Sequence, residues 1–483
     1  MIWKRLTKLR VNPVNRRCTN LPLLAIWSPY IRNFHLSWLG FWVAFLSWFA
    51  FSPLIPQAVK SDLKLTNAQI ANSNIVSLCS TLVARVAVGP LVDLYGPRKV
   101  MAGILVIGAI PSGLAGTIDS ASGLYIVRFF IGFLGATFVP CQAWTSVFFD
   151  TGIVGRANAL TGGWGNAGGG FTFIIMLAVY NQLCADGLSN HVAWRASFAI
   201  APVPILLAIA GACLLFGTDH PNGHWKNRND HAIQAHTDQQ PGVKNDRTGG
   251  ASQSSAPAAE ESMIGPAVSI FVSATEVDVA VNENPSLDIV YKVITSHLTW
   301  LPSLAYLSTF GFELAMDATL ANVLYDEYKS RTFGQTKAGY IAAIYGLNNV
   351  YSRPLGGYLG DLIYRRYGVP GKKYLTLGLG IMQGILAIAL GVYVDSREHS
   401  SLAAVIPTFI IMAIFNQAAN GANFSLVPHC NPNSNGIMTG IVGAMGNLGG
   451  VFFALIFRMQ PTPAGKAFWI SGCVAIERCS QEI

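Results

Sequence analysis

Two arginines, Arg85 and Arg353, stand in apolar stretches at the head of the same pattern. In each copy Gly follows four residues later, Leu two further and Asp two further: Arg85, Gly89, Leu91, Asp93 and Arg353, Gly357, Leu359, Asp361. A guanidinium among apolar residues is costly and faces a cavity or a partner. Two of them from equivalent positions would attract an anion, and planar forks suit a small planar oxyanion better than a bulky neutral solute. The alternative is an ion pair with Glu313 or Asp317, acids in the otherwise apolar "FGFELAMDATL".

A second candidate for chemistry is "GGWGNAGGG", Gly162 to Gly170, where Gly163, Gly165 and Gly168 spell G-x-G-x-x-G. Dinucleotide binding requires a strand before such glycines and a crossover helix after them. Here "GIVGRANALT" precedes and the apolar run "FTFIIMLAVY" follows, so that order cannot be drawn. The stretch instead has a twin in "GAMGNLGGVFF", with Gly446, Asn447, Gly449 and Gly450 matching Gly165, Asn166, Gly168 and Gly169. The shared feature is small-residue spacing around a central asparagine, which suits close helix packing in lipid. Asn166 and Asn447, polar at the same place of both copies, are candidates to face a solute.

The elements that position these residues follow from composition. Hydrophobic residues make up 52% of the 483 and charged residues only 12%, with a mean hydropathy of +0.41. This is an all-α membrane protein. Apolar stretches of about 20 residues, enough to span a bilayer, begin near Ser37, Ile70, Val100, Leu124, Ala157, Ala193, Leu298, Ala338, Tyr374, Leu402 and Gly436. A twelfth, "AFWISGCVAI", is shortened by Glu477 and Arg478. The basic leader and the basic connections "GPRKV" and "YRRYGVPGKK" place the N-terminus in the cytoplasm. The net charge of +8 therefore reads as membrane topology, and no nucleic-acid partner is expected.

The expected division is a leader at 1–35, a six-helix half at 36–217, a polar cytoplasmic loop at 218–296 and a second half at 297–483. Asn284 and Pro285 begin a short helix, "SLDIVYKVI", before the seventh span. The eight cysteines lack C-x-x-C spacing, so neither a metal site nor a disulfide framework is indicated. No P-loop, G-x-S-x-G or H-E-x-x-H is present, so an enzyme is not expected and no cofactor is implied.

"GPLVDLYGPRK", Gly89 to Lys99, resembles the loop signature of the major facilitator superfamily. The two glycine stretches resemble the paired signatures of its nitrate/nitrite porter family, and the whole is most like the high-affinity nitrate transporters of fungi. The resemblance implies twelve spans in two pseudosymmetric halves. It implies that Arg85 and Arg353 clamp nitrate, with nitrite a second substrate, and that Tyr306, Phe310 and Phe138 wall the anion. Asn166, Gly162 and Asn447 would line the same cavity, while Gly89, Asp93, Arg98, Gly357 and Asp361 would form the cytoplasmic gate. It also implies proton symport, with Glu313, Asp317 and Arg128 as the coupling candidates, in a monomer of the plasma membrane. The shortened twelfth span departs from the family pattern. A non-transporting nitrate sensor and a carrier for another small anion are the alternatives.

Overall fold

The computed structural model describes residues 6–13, 15–228, 287–397, 400–431, 435–460 and 464–481, and these form helices joined by short connections, with no sheet among them. The first half contains α1 (Pro29–Trp48), α2 (Asn67–Tyr95), α3 (Pro97–Thr117), α4 (Ala121–Phe148), α5 (Thr151–Ala185) and α6 (Asn190–Phe216). The second begins with α7 (His297–Tyr328) and α8, which runs from Gln335–Leu347 through a tight turn at Asn348–Val350 into 352–367. Gly368, at φ 64°, separates it from α9 at 369–395, since a side chain there would be strained. α10 (Leu402–Cys430), α11 (Asn435–Met459) and α12 (Ala464–Gln481) complete it.

Local sequence explains several boundaries. Thr66 and Gln69 form a reciprocal cap on α2, the Thr66 hydroxyl accepting from Gln69 N at 3.2 Å and Gln69 Oε1 from Thr66 N at 2.9 Å. Gly96, at φ 88°, turns the chain, and Pro97 then opens α3 where its missing N–H costs nothing. Eight helical stretches are long and apolar enough to cross a membrane, one of them the run Gln335–Asp395 that holds both α8 and α9. α7, with its two buried acids, is not among them, and neither is α12.

The expected short helix before the seventh span is present as Leu287–Thr295. Its expected start at Asn284 and Pro285, and most of the polar loop, lie outside the described residues. The twelfth helix is longer than its apolar run, continuing past Glu477 and Arg478 to 18 residues. At about 1.5 Å per residue it reaches roughly 27 Å, close to the ~30 Å hydrocarbon core.

The glycine stretches are continuous helix and serve as contact faces. On α5, Gly168 packs on the Trp42 carbonyl of α1, and Gly170 leaves only 2.6 Å between the place of a Cβ and Leu347 N of α8. On α11, Gly449 lies against the Leu307 carbonyl of α7. In lipid, where apolar association drives nothing, such close backbone approach holds helices together.

Candidate anion site between the halves

The two arginines project from α2 and α8 into the centre of the bundle and are buried, at 0% and 2% exposure. Arg85 Nε donates to Gly135 O in α4 and its Nη1 to Gly443 O in α11, both at 2.9 Å. Its Nη2 has no hydrogen-bond partner, and Arg85 enters no ion pair among the described residues. Arg353 Nη1 donates to Gly162 O at 3.3 Å and Nη2 to Tyr306 Oη at 3.2 Å, leaving Nε without a partner. Asn166 sits against the same fork; with its amide oxygen turned inward it accepts from Arg353 Nη2 at 3.2 Å and also from Nη1.

One ring joins the two cations. Phe310 lies 5.1 Å from the Arg85 guanidinium carbon and 5.3 Å from that of Arg353, a separation at which a ring face attracts a cation. Tyr306 stacks on Phe310 at 4.5 Å with 5° between planes, and Phe138 faces Arg85 at 4.9 Å. Phe424 closes the cage edge-on, 4.7 Å from Phe138 and 4.9 Å from Tyr306. Asn447 does not reach Arg85; its Nδ2 donates to Gly443 O at 3.0 Å, the carbonyl that also receives Arg85.

The ion-pair alternative holds for one arginine and not the other. Glu313 Oε2 lies 3.6 Å from Arg353 Nη2, and its two oxygens also accept from Asn349 Nδ2 and Asn420 Nδ2, each at 2.6 Å. Asp317, one turn further along α7, is buried, and its Oδ2 has no hydrogen-bond partner. Arg128 sits elsewhere, its Nη1 donating to Ser73 Oγ at 2.9 Å and Asn74 Oδ1 at 2.6 Å in α2.

At one end of the bundle, that of Asp93 and Asp361, each copy of the repeat docks on the opposite half. Asp93 accepts from Gly436 N and Ile437 N, both at 3.1 Å, where the first turn of α11 has free donors and the positive end of its dipole. Gly89 lets α2 approach: a Cβ there would stand 3.0 Å from Gly436 O. Asp361 receives Arg156 N of α5 at 2.9 Å, Arg156 Nε at 3.2 Å and Lys372 Nζ at 3.3 Å, and Gly357 packs on Gly155 O. Arg98 does not touch Asp93; it pairs with Asp219 at 3.2 Å and donates to Leu214 O and Gly217 O at the end of α6. At the opposite end of the bundle, Gln335 Oε1 of α8 accepts from Gln57 N and Ala58 N at 2.9 Å each. Contacts across both ends, with the arginines buried between them, make this an occluded conformation.

Sequence reasoning missed Asn349, Asn420, Phe424 and Gly443. Asn349 and Asn420 carried a signal, an amide within an apolar helix; Phe424 carried none among 26 phenylalanines.

The Major Facilitator Superfamily model matches residues 37–456, and the chain belongs to that superfamily. The fold agrees: the proton:xylose symporter XylE from E. coli superposes with a TM-score of 0.63 over 93% of this chain and 94% of that one, at 14% identity. Within the superfamily the chain belongs to the nitrate/nitrite porter family. High affinity nitrate transporter 2.5 of Arabidopsis thaliana is 33% identical over 442 residues, 91% of this chain and 76% of that protein. Nitrate transporter 2.2 of Chlamydomonas reinhardtii is 30% identical over 451 residues, 93% and 76% respectively. The chain is thus a multi-pass membrane transporter by family.

Proposed function

We propose that this chain takes up nitrate across the plasma membrane by proton symport and alternating access, as a monomer, with Arg85 and Arg353 clamping the anion from opposite halves. The observation that carries the reading is Arg85, fully buried, without a carboxylate partner among the described residues and with Nη2 unused, across the Phe310 ring from Arg353. A buried unpaired cation is costly, and an anion with planar acceptor geometry relieves that cost. The nitrate transporters among its relatives favour nitrate over other small anions.

Phe138, Tyr306 and Phe310 exclude water and leave no room for a large solute; Asn166 and the Gly162 carbonyl orient Arg353, and Asn447 the Gly443 carbonyl. The gating role falls to Asp93 and Asp361, whose docking on α11 and α5 must break for the inner side to open, with Gly89 and Gly357 permitting the approach. Arg98 acts indirectly, fastening the α2–α3 turn to the end of α6. Carrying an anion into a cell that is negative inside costs about 2.3 kcal/mol per 100 mV. Two or more protons per nitrate let the potential favour uptake, and Glu313, Asp317 and Arg128 are the candidate groups for that coupling.

The test is current and labelled-nitrate uptake in oocytes expressing the chain, at acidic external pH. Nitrate should evoke an inward current accompanied by uptake. Nitrate binding without flux, with surface expression verified, would replace the transporter by a sensor, and competition by nitrite would report the second substrate.

A further inference from the structure

Of the two buried acids in α7, Glu313 and Asp317, one is tied to a cation and the other is not. Both oxygens of Glu313 accept from side-chain amides at 2.6 Å, and an amide N–H₂ can only donate. A third donor, Arg353 Nη2, stands 3.6 Å away. Each oxygen already has an amide donor, and the Arg353 guanidinium beside it makes Glu313 the counter-ion of that arginine.

Asp317 has the opposite surroundings. It is 4% exposed, its Oδ2 meets no donor, and it forms no ion pair among the described residues. Its charged and titratable neighbours are Glu313 on the same helix and Arg353 and Tyr345 of α8; α1 and α5 present Phe49 and Gly169, the latter 3.6 Å from Oδ2 at the place of a Cβ. Gly169 belongs to the first glycine stretch, so that stretch borders the acid as well as the arginine. A cavity of ≈ 280 Å³, lined by Asn74, Thr319, Asn322 and Arg458 among others, reaches the turn of α7 that follows Asp317. Asn74 Nδ2 also donates at 3.2 Å to the carbonyl of Ala318, tying that turn to α2.

We infer that Asp317 binds the proton that must accompany each nitrate, while Glu313 serves as the permanent counter-ion of Arg353. This rests on the nitrate reading above. The charges at the centre decide it. Arg85 and Arg353 against Glu313 leave one net positive charge when Asp317 is protonated, and one nitrate neutralises it. With Asp317 ionised the centre is already neutral, and nitrate would bury an uncompensated negative charge, which is costly. Nitrate and proton therefore enter together: Asp317 takes a proton from outer water, and releases it to cytoplasmic water when the anion leaves. This step moves one proton and one anion, so any net inward charge comes from a further proton bound elsewhere. Arg128, committed to Ser73 and Asn74, is not the proton carrier but part of the brace behind the Asp317 turn.

The experiment measures charge moved per labelled nitrate taken up, for the full chain, Asp317→Asn and Asp317→Glu. In Asp317→Asn the centre stays permanently one charge positive, so nitrate should still cross, with the charge-to-nitrate ratio lower by one elementary charge. The pH dependence of its nitrate affinity should flatten. Asp317→Glu, which can titrate, should restore the ratio. An unchanged ratio in Asp317→Asn would overturn the assignment and return the role to Glu313. So would loss of all nitrate movement from an Asp317→Asn protein that reaches the surface. Absence of nitrate movement in the unsubstituted chain would instead bring down the nitrate reading, and this inference with it.

Discussion

Replacing Arg85 with lysine keeps the charge and removes the fork. In the structure Nε and Nη1 are spent on the carbonyls of Gly135 and Gly443, and only Nη2 is free for a ligand. A lysine ammonium reaches from a single point. It can satisfy one of those carbonyls, or turn to the anion, but it cannot reproduce three donors spread over a plane. The variant therefore loses at least one charge-assisted hydrogen bond, about 1.5–3 kcal/mol. At about 1.4 kcal/mol per factor of ten this raises the KM for nitrate roughly 10- to 100-fold. The assay is initial uptake of labelled nitrate against concentration at fixed acidic pH, normalised to protein at the surface. A KM within about twofold of the unsubstituted chain would refute the clamp, because only a site that reads charge without geometry tolerates that exchange.

Two further outcomes follow from contacts away from the arginines. Gly449→Ala should lower thermal stability by about 1–3 kcal/mol, since its Cβ would overlap the Leu307 backbone, whereas Gly103→Ala, with nothing within 4 Å, should leave the unfolding midpoint unchanged. Asp62, in the connection after α1, accepts from Arg195 Nη1 at 2.6 Å, Trp194 Nε1 at 3.0 Å and His191 Nδ1 at 3.0 Å. Burial alone would raise its pKa, but these donors lower it below the ordinary carboxylate value. Its stabilisation is therefore complete above the unfolded value of about 3.9 and fades as pH falls through the lower folded one. Asp62→Asn should cost about 1–2 kcal/mol near neutral pH, and its unfolding midpoint should converge with that of the unsubstituted chain in strong acid.

The placement of Arg85, Arg353, Asp93 and Asp361 was legible because each type occurs twice at one spacing, and repetition marks matched positions of two halves. Their partners were not legible. Asp93 docks on α11 and Asp361 on α5, so each repeat completes its contact in the other half, across more than two hundred residues of chain. Asn349 and Asn420 matter only because α8 and α10 bring them to the two oxygens of Glu313. α12 is not apolar enough to count as a span, as its hydropathy implies, yet its helix continues beyond the apolar run along α9, where Gly380 meets Cys479. Tertiary contact of this kind extends a helix past the point where its own side chains justify it.

The departures from symmetry say more about function than the symmetry does. Arg85 and Arg353 occupy matched positions, yet Arg353 has Glu313 beside it and Arg85 has no carboxylate. The difference originates in one helix: α7 carries "FELAMD", while the corresponding first helix, "WLGFWVAFLSW", has no acid. Two guanidiniums with two fixed carboxylates would form a neutral core with nothing left for an anion, and with none they would hold an anion too firmly to release it. One fixed carboxylate leaves a single unit of positive charge, centred on Arg85, and places the adjustable acid a turn away on the same helix. On the proposed alternating access, a rocking of the halves would change the distance between α7 and α2, and with it the field that a bound anion would feel from each side.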